Sequence, residues 1–242
     1  MNDAAGAQGH SAPIPDLPPL VLRMGGEHFK DDQAFISTAV TDVHRLQSGA
    51  HLTADTRLLD WGCGAGRLAI GIRHVFGHIR DYHGVDIQKD LVDWAQEHLS
   101  DEHTRFSLAG AVNNRYNPGG VGPHNIPADD ASVDVFYAYS VFSHMLADDV
   151  AIYSKVISRI LAPGGRVMLT AFVEEDVQAW QENPAGYGPI AWAGPLHCVR
   201  YDRVFLESIL RQAGLVVDSF QYGQETDGQS LYLLRHDESR RR

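Results

Sequence analysis

With 242 residues, 44% of them hydrophobic, the chain is long enough to bury one full core and too short for more than two domains, and a single domain is expected. A formal net charge of −11 argues against nucleic acid as a partner, since affinity for a phosphate backbone rests on Lys and Arg. No apolar run reaches the roughly 18 to 20 residues that span a bilayer, and the opening residues lack the basic and apolar regions of a secretory leader. Two cysteines, Cys63 and Cys198, make neither a disulfide framework nor a metal cluster. A cytoplasmic protein without a metal site or a membrane partner is the expectation.

Residues 1–20 are rich in Ala, Gly, Ser and Pro, show no periodicity and read as a flexible arm, leaving 21–242 as the folded domain. Next comes "RMGGEHF" (23–29), in which Gly25 and Gly26 permit a close approach of backbone to a ligand. Asp31 or Asp32 can cap a helix whose apolar positions Phe35, Ile36, Ala39, Val40, Val43 and Leu46 share one stripe, with Gly49 ending it. From Thr56 onward, short apolar runs at 57–61, 82–86, 105–108, 133–139 and 166–173 alternate with amphipathic stretches at 67–76, 90–99 and 148–161. This alternation predicts a doubly wound, Rossmann-like α/β fold, a parallel sheet with helices on both faces. A helix over 202–213, closed by Gly214, leads to β-rich runs at 215–221 and 230–234. Their connection is too short for a parallel crossover, so they must pair antiparallel.

In open α/β sheets, ligands bind outside the carboxyl ends of the strands. There "LLDWGCGAGR" (58–67) sets Gly62, Gly64 and Gly66. The spacing differs from the G-x-G-x-x-G of dinucleotide sites, and no G-K-[ST] follows a glycine-rich turn. Asp60 beside the turn would repel a pyrophosphate and favour an ammonium group. Asp86, twenty residues after Gly66 at the end of the second strand, is placed to accept hydrogen bonds from both hydroxyls of a ribose. A cationic amino-acid head joined to a ribose describes S-adenosylmethionine.

With "VDIQKD" (85–90), "DDASVDVFYAYSVFSHM" (129–145) and "RILAPGGRVMLTAF" (159–172) in the same order, the sequence resembles the class I S-adenosylmethionine-dependent methyltransferases over about 58–234. The resemblance implies a seven-stranded sheet with an antiparallel last strand and S-adenosylmethionine as cofactor. It sets Gly62, Gly64, Gly66 and the backbone of Cys63 against the methionine part, Asp60 near the ammonium, Asp86 on the ribose and Ile87 against the adenine. Members of the family often carry an acid after the third strand; this chain has "SLAGAVNN" (107–114), which leaves backbone at Ala111 and Val112 for the adenine amino group. Arg23, with Gly25 beside it, is expected to meet the methionine carboxylate, and Ser140 to line the cofactor.

Methyl transfer from a sulfonium is an in-line displacement that gains much from alignment and desolvation. A general base becomes useful when the nucleophile is an alcohol. His144 in "SVFSHM" is the candidate base, with a structural histidine bonded to the turn as the alternative. Phe142 is expected between cofactor and acceptor. The segment around 174–201 reads as an acceptor-side insertion in which Trp192, His197 and Tyr201 touch substrate, with Trp180, Tyr187 and Arg200 nearby. The Gly- and Pro-rich loop 113–130 is expected to shape the acceptor pocket. With His144, the resemblance of "RYNPGG" (115–120) and "SVFSHM" (140–145) to bacterial enzymes that modify glycans and natural products implies O-methylation of a small polar acceptor such as a saccharide or natural product. Nitrogen, carbon or protein acceptors, a noncatalytic cofactor-binding partner subunit and a nicotinamide oxidoreductase are the alternatives.

Overall fold

In the computed structural model, which describes residues 16–238, Asp31 caps the first long helix, α1 (Asp32–Ala50), by accepting a hydrogen bond from the Ala34 amide at 2.8 Å. The arm expected over 1–20 lies outside the described residues as far as residue 15. In the part that is described, Pro18 is buried and Leu17 packs against the core.

The alternating segments form β1 (Arg57–Trp61), α2 (Arg67–Phe76), β2 (Asp81–Asp86), α3 (Lys89–Leu99), β3 (Thr104–Leu108), β4 (Val133–Ala138), α4 (Ala147–Ile160) and β5 (Leu161–Glu174). Two short strands, β6 (Trp180–Glu182) and β7 (Val199–Asp202), precede α5 (Arg203–Gln212), β8 (Leu215–Gln221) and β9 (Ser230–His236). Seven strands make the body of the sheet in the order β3-β2-β1-β4-β5-β9-β8, and β9 runs antiparallel to both of its neighbours. The other two were not legible as strands. β7 adds in parallel to the end of β5, pairing Arg200 to Asp202 with Phe172 to Glu174, and β6 pairs antiparallel to β7. The segment after β5 is thereby built onto the sheet at its carboxyl end.

Side chains alternate between the two faces of a strand, and this divides the core in two. Leu59, Phe136 and Val167 face α4 and α5, whereas their neighbours Leu58, Val135 and Met168 face α1, α2 and α3. Among the described residues, no helix is long and apolar enough to cross a membrane.

Gly49 does not end α1. The helix runs on to Ala50 and is closed by His51 in a left-handed conformation, with φ 59°. Gly49 lies where the helix meets the sheet: a Cβ there would sit 3.1 to 3.3 Å from Leu233 and Met168. Its role is close approach, and overpacking such a contact is destabilising by about 1 to 3 kcal/mol. Gly49→Val should lower stability by that amount in urea unfolding, and an unchanged midpoint would show that the contact has slack.

Candidate functional site

The glycine turn leaves β1 and enters α2 with Gly62, Gly64 and Gly66 at φ 80°, 55° and 80°. A Cβ on Gly62 would lie 2.4 Å from Val141 and one on Gly66 2.5 Å from Leu99, so both are forced by packing. Gly64 differs. A Cβ there would meet nothing within 4 Å, and the residue borders a cavity of about 560 Å³. The turn is held by Asp86, whose carboxylate accepts hydrogen bonds from the Gly64 and Gln88 amides, each at 2.9 Å. Burial pushes the Asp86 pKa up, and these amides oppose the shift.

One end of the cavity collects buried polar groups that are only partly satisfied. Asp60 accepts a hydrogen bond from the Tyr82 hydroxyl at 2.5 Å, and burial raises its pKa to about 7. Tyr137, its register partner on β4, carries a buried hydroxyl with no hydrogen-bond partner. Arg67 opens α2 and bonds Asp42 through Nη2 at 2.6 Å, while its Nη1 is buried and unpartnered. A carboxylate, a free guanidinium N–H and a free hydroxyl therefore line one wall. This donor and acceptor set suits a zwitterionic amino-acid group.

Arg23 also borders the cavity, but its guanidinium is committed elsewhere. Nε donates to the Pro18 carbonyl at 2.8 Å, Nη1 to the Phe29 carbonyl at 3.3 Å, and Nη2 pairs with Asp32 at 2.6 Å. It braces the N-terminal segment, and Arg67 holds the free donor.

The other end is organised by a kink after β4. Ser140 sits at φ 56°, a conformation that side chains other than glycine rarely adopt. Its amide donates to Thr170 Oγ1 at 2.7 Å and its hydroxyl accepts from Gln229 Nε2 at 2.9 Å, while Thr170 donates to Gln229 Oε1 at 2.8 Å. Gln229 comes from the β8–β9 connection, whose Glu225 also pairs with Arg45 of α1 and whose Thr226 bonds the Tyr139 hydroxyl.

The kink delivers His144 to the cavity wall. Its Nδ1 lies 2.9 Å from the Leu196 carbonyl, which can only accept, so Nδ1 carries the proton and Nε2 the lone pair. Burial pushes its pKa down to about 4. His197 is the complement. Its Nδ1 accepts from the Ala193 amide at 3.0 Å, which puts the proton on Nε2, and burial lowers its pKa too. Trp192 meets the His197 ring edge-on, with centroids 5.2 Å apart, and its indole N–H donates to the Tyr187 carbonyl at 2.6 Å.

The cavity brings together Gly25, Asp60, Gly62, Cys63, Gly64 and Asp86 with Ile87, Ala111, Val112 and Ser140, and at its other end His144, Trp192 and His197. Three expected contacts do not reach it. Gly66 caps α2 and makes room for Leu99. Phe142 is fully buried in the core, edge-on to Trp61 at 6.1 Å. Tyr201 is fully buried on β7 and donates its hydroxyl to the Met145 carbonyl. Trp180, Tyr187 and Arg200 likewise lie off the lining. Burial raises the Cys63 thiol well above its usual range, which leaves it protonated. Arg67, Tyr137, Arg115, Tyr116 and Gln229 line the cavity without having been singled out. Arg67 was adjacent to the motif, whereas Gln229 had no local signal because only the fold carries it to Ser140.

Residues 59–169 match a family model described as "Methyltransferase domain". A 27-O-demethylrifamycin SV methyltransferase from Amycolatopsis mediterranei (strain S699) is 29% identical over 197 residues, which cover 79% of this chain and 66% of that protein, just under two thirds of its length. Three solved structures share the fold. The [4+2]-cyclase SpnF aligns with a TM-score of 0.60 at 17% identity, covering 83% of this chain and 81% of its own. Geranyl diphosphate C-methyltransferase from Streptomyces coelicolor A3(2), crystallised with Mg2+, geranyl diphosphate and S-adenosyl-L-homocysteine, gives 0.57 at 16% identity, with 89% and 87% covered. 1,6-Didemethyltoxoflavin-N1-methyltransferase from Burkholderia thailandensis, with bound 1,6-didemethyltoxoflavin and S-adenosylhomocysteine, gives 0.54 at 19%, with 85% and 79% covered.

The geometry at His144 sets its titration. An unfolded histidine protonates near pH 6.5, well above the buried ring at about 4. As pH falls from about 6.5 to about 4, the unfolded chain takes up a proton that the folded ring refuses, so this contribution to stability is present above 6.5 and is lost through that window. The His144 ring resonances should stay unshifted between pH 8 and about 5 in NMR titrations; a midpoint near 6.5 would contradict the buried, Leu196-bonded ring.

Proposed function

We propose that the chain is a class I S-adenosylmethionine-dependent methyltransferase and that it methylates an oxygen of a small polar acceptor, such as a saccharide or natural product, with His144 as the base. S-adenosylmethionine supplies an electrophilic methyl group on a cationic sulfur. Asp86 accepts from the ribose hydroxyls with the lone pairs left over from Gly64 and Gln88. Asp60 faces the ammonium, and Arg67 Nη1 with the Tyr137 hydroxyl takes the carboxylate, giving partners to two groups that otherwise have none. Ile87, Ala111 and Val112 form the adenine side. The methyltransferase-domain match over 59–169 counts against the nicotinamide alternative.

The observation that carries the choice of oxygen is the fixed tautomer of His144. Its Nδ1 proton is held by Leu196, so Nε2 meets the cavity as a lone pair able to take the proton of an acceptor hydroxyl as the O–C bond forms. The ring starts neutral because it is buried, and it becomes more basic as the positive charge at sulfur disappears with the methyl group's transfer. His197 offers the opposite group, an Nε2 proton that can orient a neighbouring oxygen. The 27-O-demethylrifamycin SV methyltransferase supports an oxygen on a natural product as the kind of acceptor.

Calorimetric titration with S-adenosylmethionine and its demethylated product tests the cofactor end. Arg67→Gln should weaken binding by about 10- to 100-fold, from the loss of a charged hydrogen bond of roughly 1.5 to 3 kcal/mol. Arg23→Gln should lower the unfolding midpoint instead, and the reverse pattern would return the carboxylate to Arg23. At the acceptor end, His144→Ala should cut kcat by about two orders of magnitude or more with cofactor affinity unchanged, in a screen over sugars and phenols. Equal turnover in both proteins would reject the base.

A further inference from the structure

The His144 end of the cavity contains a cation that has no ion-pair partner among the described residues. Arg115 lies in the loop between β3 and β4, and that loop is held firmly. Gly122 donates to the Gly110 carbonyl at 2.8 Å and Asn117 Nδ2 to the Ala111 carbonyl at 3.0 Å. Asn113 fixes the turn that carries Arg115: its Oδ1 accepts from the Arg115 and Tyr116 amides at 3.0 and 3.1 Å, and its Nδ2 donates to the His144 carbonyl at 3.1 Å. The guanidinium carbon sits 5.4 Å from the centre of the Tyr116 ring, and that ring meets the His144 ring edge-on at 5.3 Å. Guanidinium, phenol ring and imidazole thus line one wall of the cavity in sequence.

Among the described residues, the Arg115 guanidinium takes part in no ion pair and no hydrogen bond, and its Nε is buried without a partner. By contrast, Arg67 at the far end is anchored to Asp42. The Arg115 charge is felt by its neighbours, since it helps depress both His144 and His197. Removing guanidinium donors from water without replacing their hydrogen bonds is costly. A planar or tetrahedral anion answers that cost, because the guanidinium fork matches carboxylate and phosphoryl oxygens in pairs.

We propose that Arg115 binds an anionic group on the acceptor, a carboxylate or a phosphoryl group, about one ring's width from the hydroxyl that meets His144. The substrates are then hydroxylated acids, such as sugar acids, phosphorylated sugars or phenolic acids, and not neutral sugars. The position of the hydroxyl rests on the His144 reading above; the anion site does not.

The test uses matched probes on the full chain loaded with S-adenosylhomocysteine: D-glucuronate and D-glucose 6-phosphate against D-glucose, and 4-hydroxybenzoate against its methyl ester. Binding is read by calorimetry, and methyl transfer is read separately with S-adenosylmethionine. The charged member of at least one set should bind at least about tenfold more tightly than the neutral one. Arg115→Gln should erase that preference and Arg115→Lys restore part of it, with S-adenosylhomocysteine affinity constant in all three proteins. Which charged sugar binds separates carboxylate from phosphoryl. Equal binding of charged and neutral probes, no charge-dependent binding at all, or a preference that survives Arg115→Gln overturns the proposal. Charge-dependent binding without transfer to any probe would count against the oxygen-transfer reading and leave the anion site standing.

Discussion

The site depends on one buried carboxylate. Asp86 leaves β2 and takes the Gly64 amide into a hydrogen bond, joining the ends of two adjacent parallel strands at the point where the chain turns into α2. That bond joins those of the Gly62 and Cys63 amides to the Val85 carbonyl in tying down a glycine turn with three residues of positive φ in five. With it, the cavity has a fixed floor. Burying a carboxylate is costly, and amides on both sides of the turn offset the cost. The same group thus closes the scaffold and presents its remaining lone pairs to a ligand.

From that floor the cavity runs between two ends that handle charge in opposite ways. At the cofactor end, Asp60, Arg67 and Asp42 lie close enough to influence one another, and each is braced by a phenol or a counter-ion. At the end that holds His144 and His197, burial lowers the pKa of both rings, each with one nitrogen fixed by the backbone. One presents a lone pair and the other a proton. That asymmetry comes from the hydrogen-bonding direction of a carbonyl and an amide.

Elements fixed by local periodicity were readable in the sequence. β1, α2 and β8 lie where alternation and amphipathicity put them, and Asp60 and Asp86 reach the cavity because strand ends in such sheets converge there. Elements fixed by packing were not readable. Gly49 looks like a helix stop because glycine is a poor helix former, yet the sheet beneath it requires the missing side chain. Phe142 adjoins Val141 of the cavity lining and Tyr201 follows His197 by four residues, but the kink at Ser140 and the two-residue period of β7 turn both into the core. Arg67 and Arg23 were equivalent as charges in a sequence. Only their partners distinguish a brace from a donor.

The β8–β9 connection gives the site a temporal property. Gln229 supports the Ser140 kink that delivers His144, and it directly precedes β9, which pairs with both β5 and β8. The segment from residue 23 borders the same cavity, so the pocket is enclosed by pieces separated by nearly the whole chain. During synthesis the wall of the cavity that holds His144 stays unfinished until Gln229 and β9 have emerged. A ligand that binds the finished cavity recognises the completed domain and not its precursors, and it therefore favours that state over every partly assembled one.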